Sequence, residues 1–345
     1  MIKKIELENF MQLKNQKLDF SNINIFAGVN DTGKTSLLKL LYASSKAREE
    51  DKNKSSIDKF DEHFSKKLRN VFDIEKLGNL VTKKEKSLKV ELFFNDNSAH
   101  YFSFSSEDKK NFQTCSNLDN QNFLMQSTFL PPKEVLTIQK IIRTMVETYE
   151  LKGYDDTYYD LVKSLDKPIA REEALSKEFK EADKELQESL DGELKQQENG
   201  SFRFEKDQQS FSISLTAEGV KKIGIINQLL KNKTIDKNTI LIIDEPEVAL
   251  HPSIIEKVAK ILFDLSQVGV QIFIATHSYF ILKSFQLLAY EHNKDVFFFN
   301  LDKKEGNIEI ESSNLKNGIP KNEIVDSSIA LFDRGNSIKI KKLGI

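Results

Sequence analysis

At 345 residues with 39% hydrophobic side chains, the chain is long enough to bury a sizeable core. Its 51 lysines and arginines stand against 53 acidic residues, a formal charge of −2, which excludes a chain-wide basic footprint for nucleic acid and leaves only local patches. One cysteine, Cys115, excludes an intrachain disulfide and fits a reducing cytoplasm, and without an apolar run of bilayer length we expect no membrane partner.

Residues 2–7 and 22–27 alternate and are rich in isoleucine, which predicts two strands with a turn near Asn15. A glycine-rich turn follows, then a helix from Lys34 to Ala43 with Leu37, Leu38, Leu40 and Leu41 on a buried face. Its charged continuation over 46–56 reads as a solvated loop or helix end. Two alternating runs, 88–94 and 99–105, flank Asn95-Asp96-Asn97-Ser98 and predict a hairpin. A short strand from Gln126 is stopped by Pro131 and Pro132. The stretch 135–200 then turns helical and charged, with Leu175, Phe179, Ala182, Leu186 and Leu190 spaced as one narrow apolar stripe. A second hairpin over 201–215 and a helix over 217–230 lead to the apolar strand Thr239 to Asp244, whose unbroken hydrophobicity suits a strand covered on both faces. Helix 253–267, strand 270–278, helix 279–290 and strand 296–300 continue an α/β alternation, and the last 40 residues read as a small β-rich, irregular tail.

Three segments carry chemistry. The run from Gly28 to Thr35 (GVNDTGKT) meets G-x-x-x-x-G-K-[ST] directly after a strand and at the start of a helix. Backbone N–H groups there can cradle phosphates, which makes Gly28, Asn30, Asp31, Thr32, Gly33, Lys34, Thr35 and Ser36 the candidate contacts. Lys34 reaches the β and γ phosphates, and the Thr35 hydroxyl suits a magnesium ion. The second segment is the strand ending in Asp244-Glu245-Pro246-Glu247. Asp244 can sit beside the metal that Thr35 touches, Glu245 can orient or deprotonate an attacking water, and Glu247 reads as a solvated strand-end acid. The third is the strand ending in Thr276-His277-Ser278, where His277 can hydrogen-bond a γ-phosphate or the water. His63, His100, His251 and His292 show no ligand spacing.

These segments in this order, with DEPEVALHP in the middle, resemble the ABC-type ATPases, and more closely the branch that includes SMC-like, OLD-family and phage-defence ATPases. IELENF at 5–10, NINIFAGVNDTGKTSLL at 22–38, FLPPKEVL at 129–136 and LTAEGVKKIGIINQLL at 215–230 carry the same likeness. The resemblance implies an α/β fold, an ABC-type P-loop nucleotide-binding domain with a central mixed β-sheet and a helical insertion. Residues 1–134 and 201–345 would be the two halves of the core and 135–200 the insertion.

It also implies ATP and Mg2+ as cofactors and a site split between two copies, in which a signature segment from one caps the nucleotide on the other. The segment here is Leu215 to Gly219, with Thr216 and Gly219 as candidate contacts; it departs from the family's serine-glycine-glycine pattern, and Thr216 also reads as a helix N-cap. Asp31 stands where many relatives carry glycine. For the family's metal-contacting glutamine, Gln126, Gln121 and Gln12 remain rivals.

The expected function is an ATPase that dimerises head to tail and relays its nucleotide state to a separate effector, a nuclease, in phage defence or DNA surveillance. OLD proteins carry their nuclease after the ATPase, and the stretch beyond His277 is too short for one. An ABC transporter motor and a non-hydrolysing scaffold are the alternatives. DNA binding would draw on Lys66, Lys67 and Arg69, on Lys83, Lys84 and Lys86, or on Lys339, Lys341 and Lys342.

Overall fold

A computed structural model describes residues 1–51, 57–117, 125–151, 153–304 and 307–343; Gln121 lies outside them. In chain order the elements are β1 (Ile2–Phe10), β2 (Leu13–Asp19), β3 (Ile23–Gly28), α1 (Lys34–Glu50), α2 (Ile57–Phe72), β4 (Ser87–Phe94), β5 (Ala99–Ser105), β6 (Thr114–Asn117) and β7 (Gln126–Leu130). Then come α3 (Gln139–Arg143), α4 (Asp156–Leu165), α5 (Lys177–Leu190), β8 (Glu193–Gln196), β9 (Phe202–Lys206), β10 (Gln209–Ser212), α6 (Glu218–Lys231), β11 (Thr239–Asp244), α7 (Pro252–Gln267), β12 (Gln271–Thr276), α8 (Tyr279–Glu291), β13 (Phe297–Lys304), β14 (Asn307–Asn314) and α9 (Glu323–Leu343).

The central sheet has the order β14-β13-β3-β12-β11-β7. Five strands run parallel, and β14 is an antiparallel edge, so the sheet is mixed as expected. Every residue of β3, β11 and β12 is buried, because alternate side chains feed two different cores. Ile25, Leu241, Ile243, Ile272 and Ile274 point into the core built with α4 to α8. Phe26, Ile242, Phe273 and Phe299 point the other way, against α1, α2 and a second sheet of order β2-β1-β4-β5-β6. Phe26 and Phe299 stack there with centroids 4.7 Å apart. The helix that follows the glycine-rich turn is thus held between two sheets, and its N-terminus cannot drift relative to the strand ends. A small sheet of order β10-β9-β8 packs Leu194, Phe202 and Phe204 into the first core.

Two sequence expectations are corrected and a third, left open between two readings, is decided. Asn15 is not in a turn but in β2, opposite Glu8; the chain reverses between Phe10 and Leu13, with Met11 at φ 50°. The charged continuation of α1, read as a solvated loop or a helix end, is the end of that helix as far as Glu50, with Ala47 and Arg48 buried within it. Among the described residues the tail contains one strand, β14, before the 21-residue α9, whose start is capped by the Asn322 side chain accepting from the Val325 N–H at 3.1 Å. Among the described residues no helix is long and apolar enough to cross a membrane.

Candidate nucleotide site

Parallel pairing brings three strand ends to one edge of the central sheet, where ligands of open α/β sheets bind. Asp244 is in register with Ala275, and Thr276 with Ala27, so the Gly28 loop, the acids after β11 and the histidine after β12 lie side by side. Gly28 sits at φ 151° with no room for a side chain: a Cβ would lie 2.1 Å from the Leu301 carbonyl of β13. Asp31 at φ 61° and Gly33 at φ 84° turn the loop into α1.

Lys34 is buried under this loop. Its Nζ donates to the Gly28 carbonyl at 2.9 Å, to the Val29 carbonyl at 2.7 Å and to Thr32 Oγ1 at 3.3 Å. Burial lowers its pKa to about 8, against the pull of Asp244, Glu245 and Glu247. Thr32 is fully buried, with its hydroxyl on the Val29 carbonyl. Asn30 and Asp31 are exposed, Asp31 accepting from Gln12 Nε2 at 3.0 Å, and Ser36 is half-buried in the first turn of α1.

Across the loop the Thr35 hydroxyl donates to Asp244 Oδ2 at 2.9 Å, joining the two residues expected to share a metal. Asp244 is 3% exposed and its Oδ1 has no hydrogen-bond partner. Burial raises its pKa to about 6, partly offset by the Thr35 hydroxyl. Glu245 is held at φ 50°, with its N–H on the Ala275 carbonyl at 2.9 Å and a carboxylate oxygen 3.7 Å from His277 Nε2. Burial, then the nearby Lys34 charge, lower the pKa of His277 and favour a neutral ring.

Glu247 is not the solvated acid expected of it. Its Oε1 accepts from Thr276 Oγ1 at 2.7 Å and from the His277 N–H at 2.9 Å, tying the turn after β11 to the end of β12. Sequence reasoning also passed over Lys222 of α6, whose Nζ donates to the Glu245 carbonyl at 2.9 Å. No local motif marks it; only the approach of α6 to the strand end does.

The segment before α6 lies apart from these groups' mutual contacts. Thr216 does not cap α6: the N-cap position is Ala217, without a side-chain bond, and the Thr216 hydroxyl turns back to the Ser212 carbonyl at 3.1 Å. Gly219 is pressed against the turn after β11, where a Cβ would meet the Ala249 carbonyl at 2.8 Å. Of the rival glutamines, Gln126 pairs with Thr239 at the opening end of β11 and bonds Asp236. It is therefore about 16 Å along the strand from Asp244 at ~3.3 Å per residue, too far to share a metal. Gln12 is the rival that borders the loop.

Two family models match: "AAA ATPase domain" over residues 1–198 and "AAA domain, putative AbiEii toxin, Type IV TA system" over 126–283. Among curated proteins, the Old nuclease of Escherichia phage P2 is 54% identical over 41 residues, 12% of this chain and 7% of that protein's length. The fold is similar to that of an Smc head bound to the C-winged helix domain of ScpA, with TM-score 0.55, 14% identity and coverage of 92% of this chain and 99% of that one. A similar match is the Smc head of Pyrococcus furiosus bound to the C-terminal domain of ScpA, with TM-score 0.53, 12% identity and coverage of 97% and 99%. The SMC head of Thermotoga maritima gives 0.51, 13%, 90% and 98%. These likenesses identify the ABC-type P-loop fold.

Proposed function

The chain belongs to the AAA ATPase domain family, and on that premise we propose that it binds and hydrolyses ATP at the shared strand ends, in a site completed head to tail by a second copy. The observation that carries the reading is the Thr35 to Asp244 contact beside Lys34: the phosphate-binding loop and the acidic strand end meet within one chain. The Lys34 ammonium rests on backbone carbonyls it can exchange for phosphate oxygens.

The residues also fit magnesium, since Asp244 has a buried oxygen without a partner next to the Thr35 hydroxyl. Thr35 and Asp244 would hold the ion, which when bound neutralises charge on the β and γ phosphates. Glu245 takes the proton of the attacking water as its oxygen bonds the γ-phosphorus and the bond to the ADP oxygen breaks. The neutral His277 ring hydrogen-bonds that water or the departing phosphate, and Glu247 orients it through the His277 N–H.

The partner half is read from the start of α6, with Thr216 and Gly219 nearest the second copy's nucleotide. Leu215 there is 82% exposed, which supports an interface. Residues 1–134 and 201–345 are read as the halves of the core and 135–200 as an insertion. The effector is read as a nuclease acting in phage defence or DNA surveillance; the local likeness to Old nuclease supports the nuclease class and the toxin-antitoxin family description a defence role. DNA contact through Lys66, Lys67 and Arg69 has less support, because Lys67 is buried in ion pairs with Glu50, Asp156 and Asp160.

Phosphate release by the wild type against Glu245→Gln tests the catalytic half. The variant should bind ATP and hydrolyse it about 10²- to 10⁴-fold more slowly. Equal and negligible rates in the two proteins would leave a non-hydrolysing switch.

A further inference from the structure

Lys222 has no part in the chemistry above, yet it joins the acidic strand end of this chain's site to the helix read as facing the second copy's nucleotide. It lies in the second turn of α6, and its ammonium holds the Glu245 carbonyl at 2.9 Å. Glu245 occupies a left-handed backbone conformation, which a non-glycine residue keeps only where its surroundings impose it. Two restraints impose it here. The Glu245 N–H is fastened to β12 through the Ala275 carbonyl at 2.9 Å, and its carbonyl is fastened to α6 through Lys222.

A second contact runs beside the first. Gly219, three residues before Lys222, leaves no space between α6 and the turn after β11, since a Cβ would lie 2.8 Å from the Ala249 carbonyl and 3.1 Å from Leu250 Cδ2. Ala249 is itself at φ 66°. The first two turns of α6 and the stretch 245–250 are therefore one mechanical unit, touching at Gly219 with Ala249 and at Lys222 with Glu245. The outer end of that unit is free: Ala217 makes no side-chain cap, and Leu215 stands in solvent.

We propose that Lys222 is a positioning residue that transmits engagement of the α6 start by a second copy to the backbone of Glu245, so that hydrolysis in one chain depends on contact with the nucleotide held by the other. This rests on the ATPase reading. Burial lowers the Lys222 pKa, and Glu247, Glu245 and Asp244 from the strand end and Glu218 from its own helix pull the other way, so the ammonium that holds the carbonyl is surrounded by acids. It touches backbone rather than the reacting atoms, so its loss should alter the placement of Glu245 and leave nucleotide binding alone.

The test uses the full chain with Lys222→Met, Lys222→Arg, Gly219→Ala and Glu245→Gln. Phosphate release, affinity for a fluorescent ATP analogue and thermal stability are read for each. Lys222→Met should lower kcat about 10- to 100-fold, with KM and analogue affinity within ~2-fold of wild type. Lys222→Arg, which can still donate to the carbonyl, should recover most of kcat. Gly219→Ala should reproduce the kcat loss from the other contact, and it carries the test if Lys222→Met does not fold. A kcat within ~2-fold of wild type in both Lys222→Met and Gly219→Ala overturns the proposal, as does a KM that moves in step with kcat. A folded Lys222→Arg as slow as Lys222→Met overturns it too. Failure of the ATPase reading looks different: wild type then releases phosphate no faster than Glu245→Gln.

Discussion

The edge of the central sheet and the start of α6 are built on opposite terms. At the sheet edge the polar groups are engaged within the chain: Lys34 has three acceptors, Thr35 rests on Asp244, and Glu247 holds both Thr276 and His277. At the start of α6 the helix has no side-chain cap, Thr216 turns away, and Leu215, Phe211 and Val248 are exposed. The first region has its groups gathered before any ligand arrives, so binding there exchanges existing partners, as Lys34 gives up backbone carbonyls for phosphate oxygens. The second exposes apolar side chains and leaves its helix start uncapped, which is the surface the proposed function gives to a second copy.

Under the proposed function, nucleotide affinity belongs to the sheet edge and dependence on a partner to α6, and the largest expected effect tests the first assignment. Lys34→Met should cut ATP affinity and turnover together by about 10²-fold or more, because a buried charge that faces the phosphates is lost. Equilibrium binding of a fluorescent ATP analogue measures it. Unchanged affinity would mean that the nucleotide is not held by this loop.

The sheet edge was the legible half of the molecule. Buried parallel strands leave unbroken apolar runs such as 240–243 and 272–275, and the first polar residues after them, Asp244 and Thr276 to His277, fall at the ligand edge by topology. The Gly28 loop is legible for another reason: its conformation demands glycine where β13 comes within contact. What sequence could not show depends on register and approach. Glu247 becomes a support only because β11 lies beside β12, and Gln126 is excluded only because β7 pairs with β11 from Thr239 onward. Thr216 missed the cap because α6 begins one residue later than a good capping side chain would favour, and the Lys222 contact spans 23 residues of chain. In the tail, the Asn322 cap was the available signal for α9, which buries too little to show a clear stripe.

A smaller effect tests the second assignment. Leu215→Asp puts a charge on the exposed surface without touching the sheet edge. It should leave ATP affinity within ~2-fold while lowering turnover about 10-fold, and it should abolish any ATP-dependent dimer seen by size-exclusion chromatography with light scattering. Should turnover and oligomeric state both stay as in the wild type, the partner face lies elsewhere and the contrast between the regions has a different meaning.

The smallest effect concerns a buried polar atom at the sheet edge that is not engaged, Asp244 Oδ1, a state it shares with Glu247 Oε2. Burial raises the Asp244 pKa to about 6 from an ordinary 3.8. Between those values the folded, metal-free protein holds a proton that the unfolded chain has released, so raising pH through this window costs stability, and the cost is complete above about pH 6. Asp244→Asn carries no such charge. Without metal or nucleotide it should match the wild type near pH 4 and become more stable than it by about 1–2 kcal/mol at pH 7, read as a difference in chemical denaturation midpoints. A difference that stays flat across that range would mean that the carboxylate is satisfied in the folded chain. A difference that grows with pH would locate the strain of the prearranged edge at Asp244, the carboxylate that magnesium would meet.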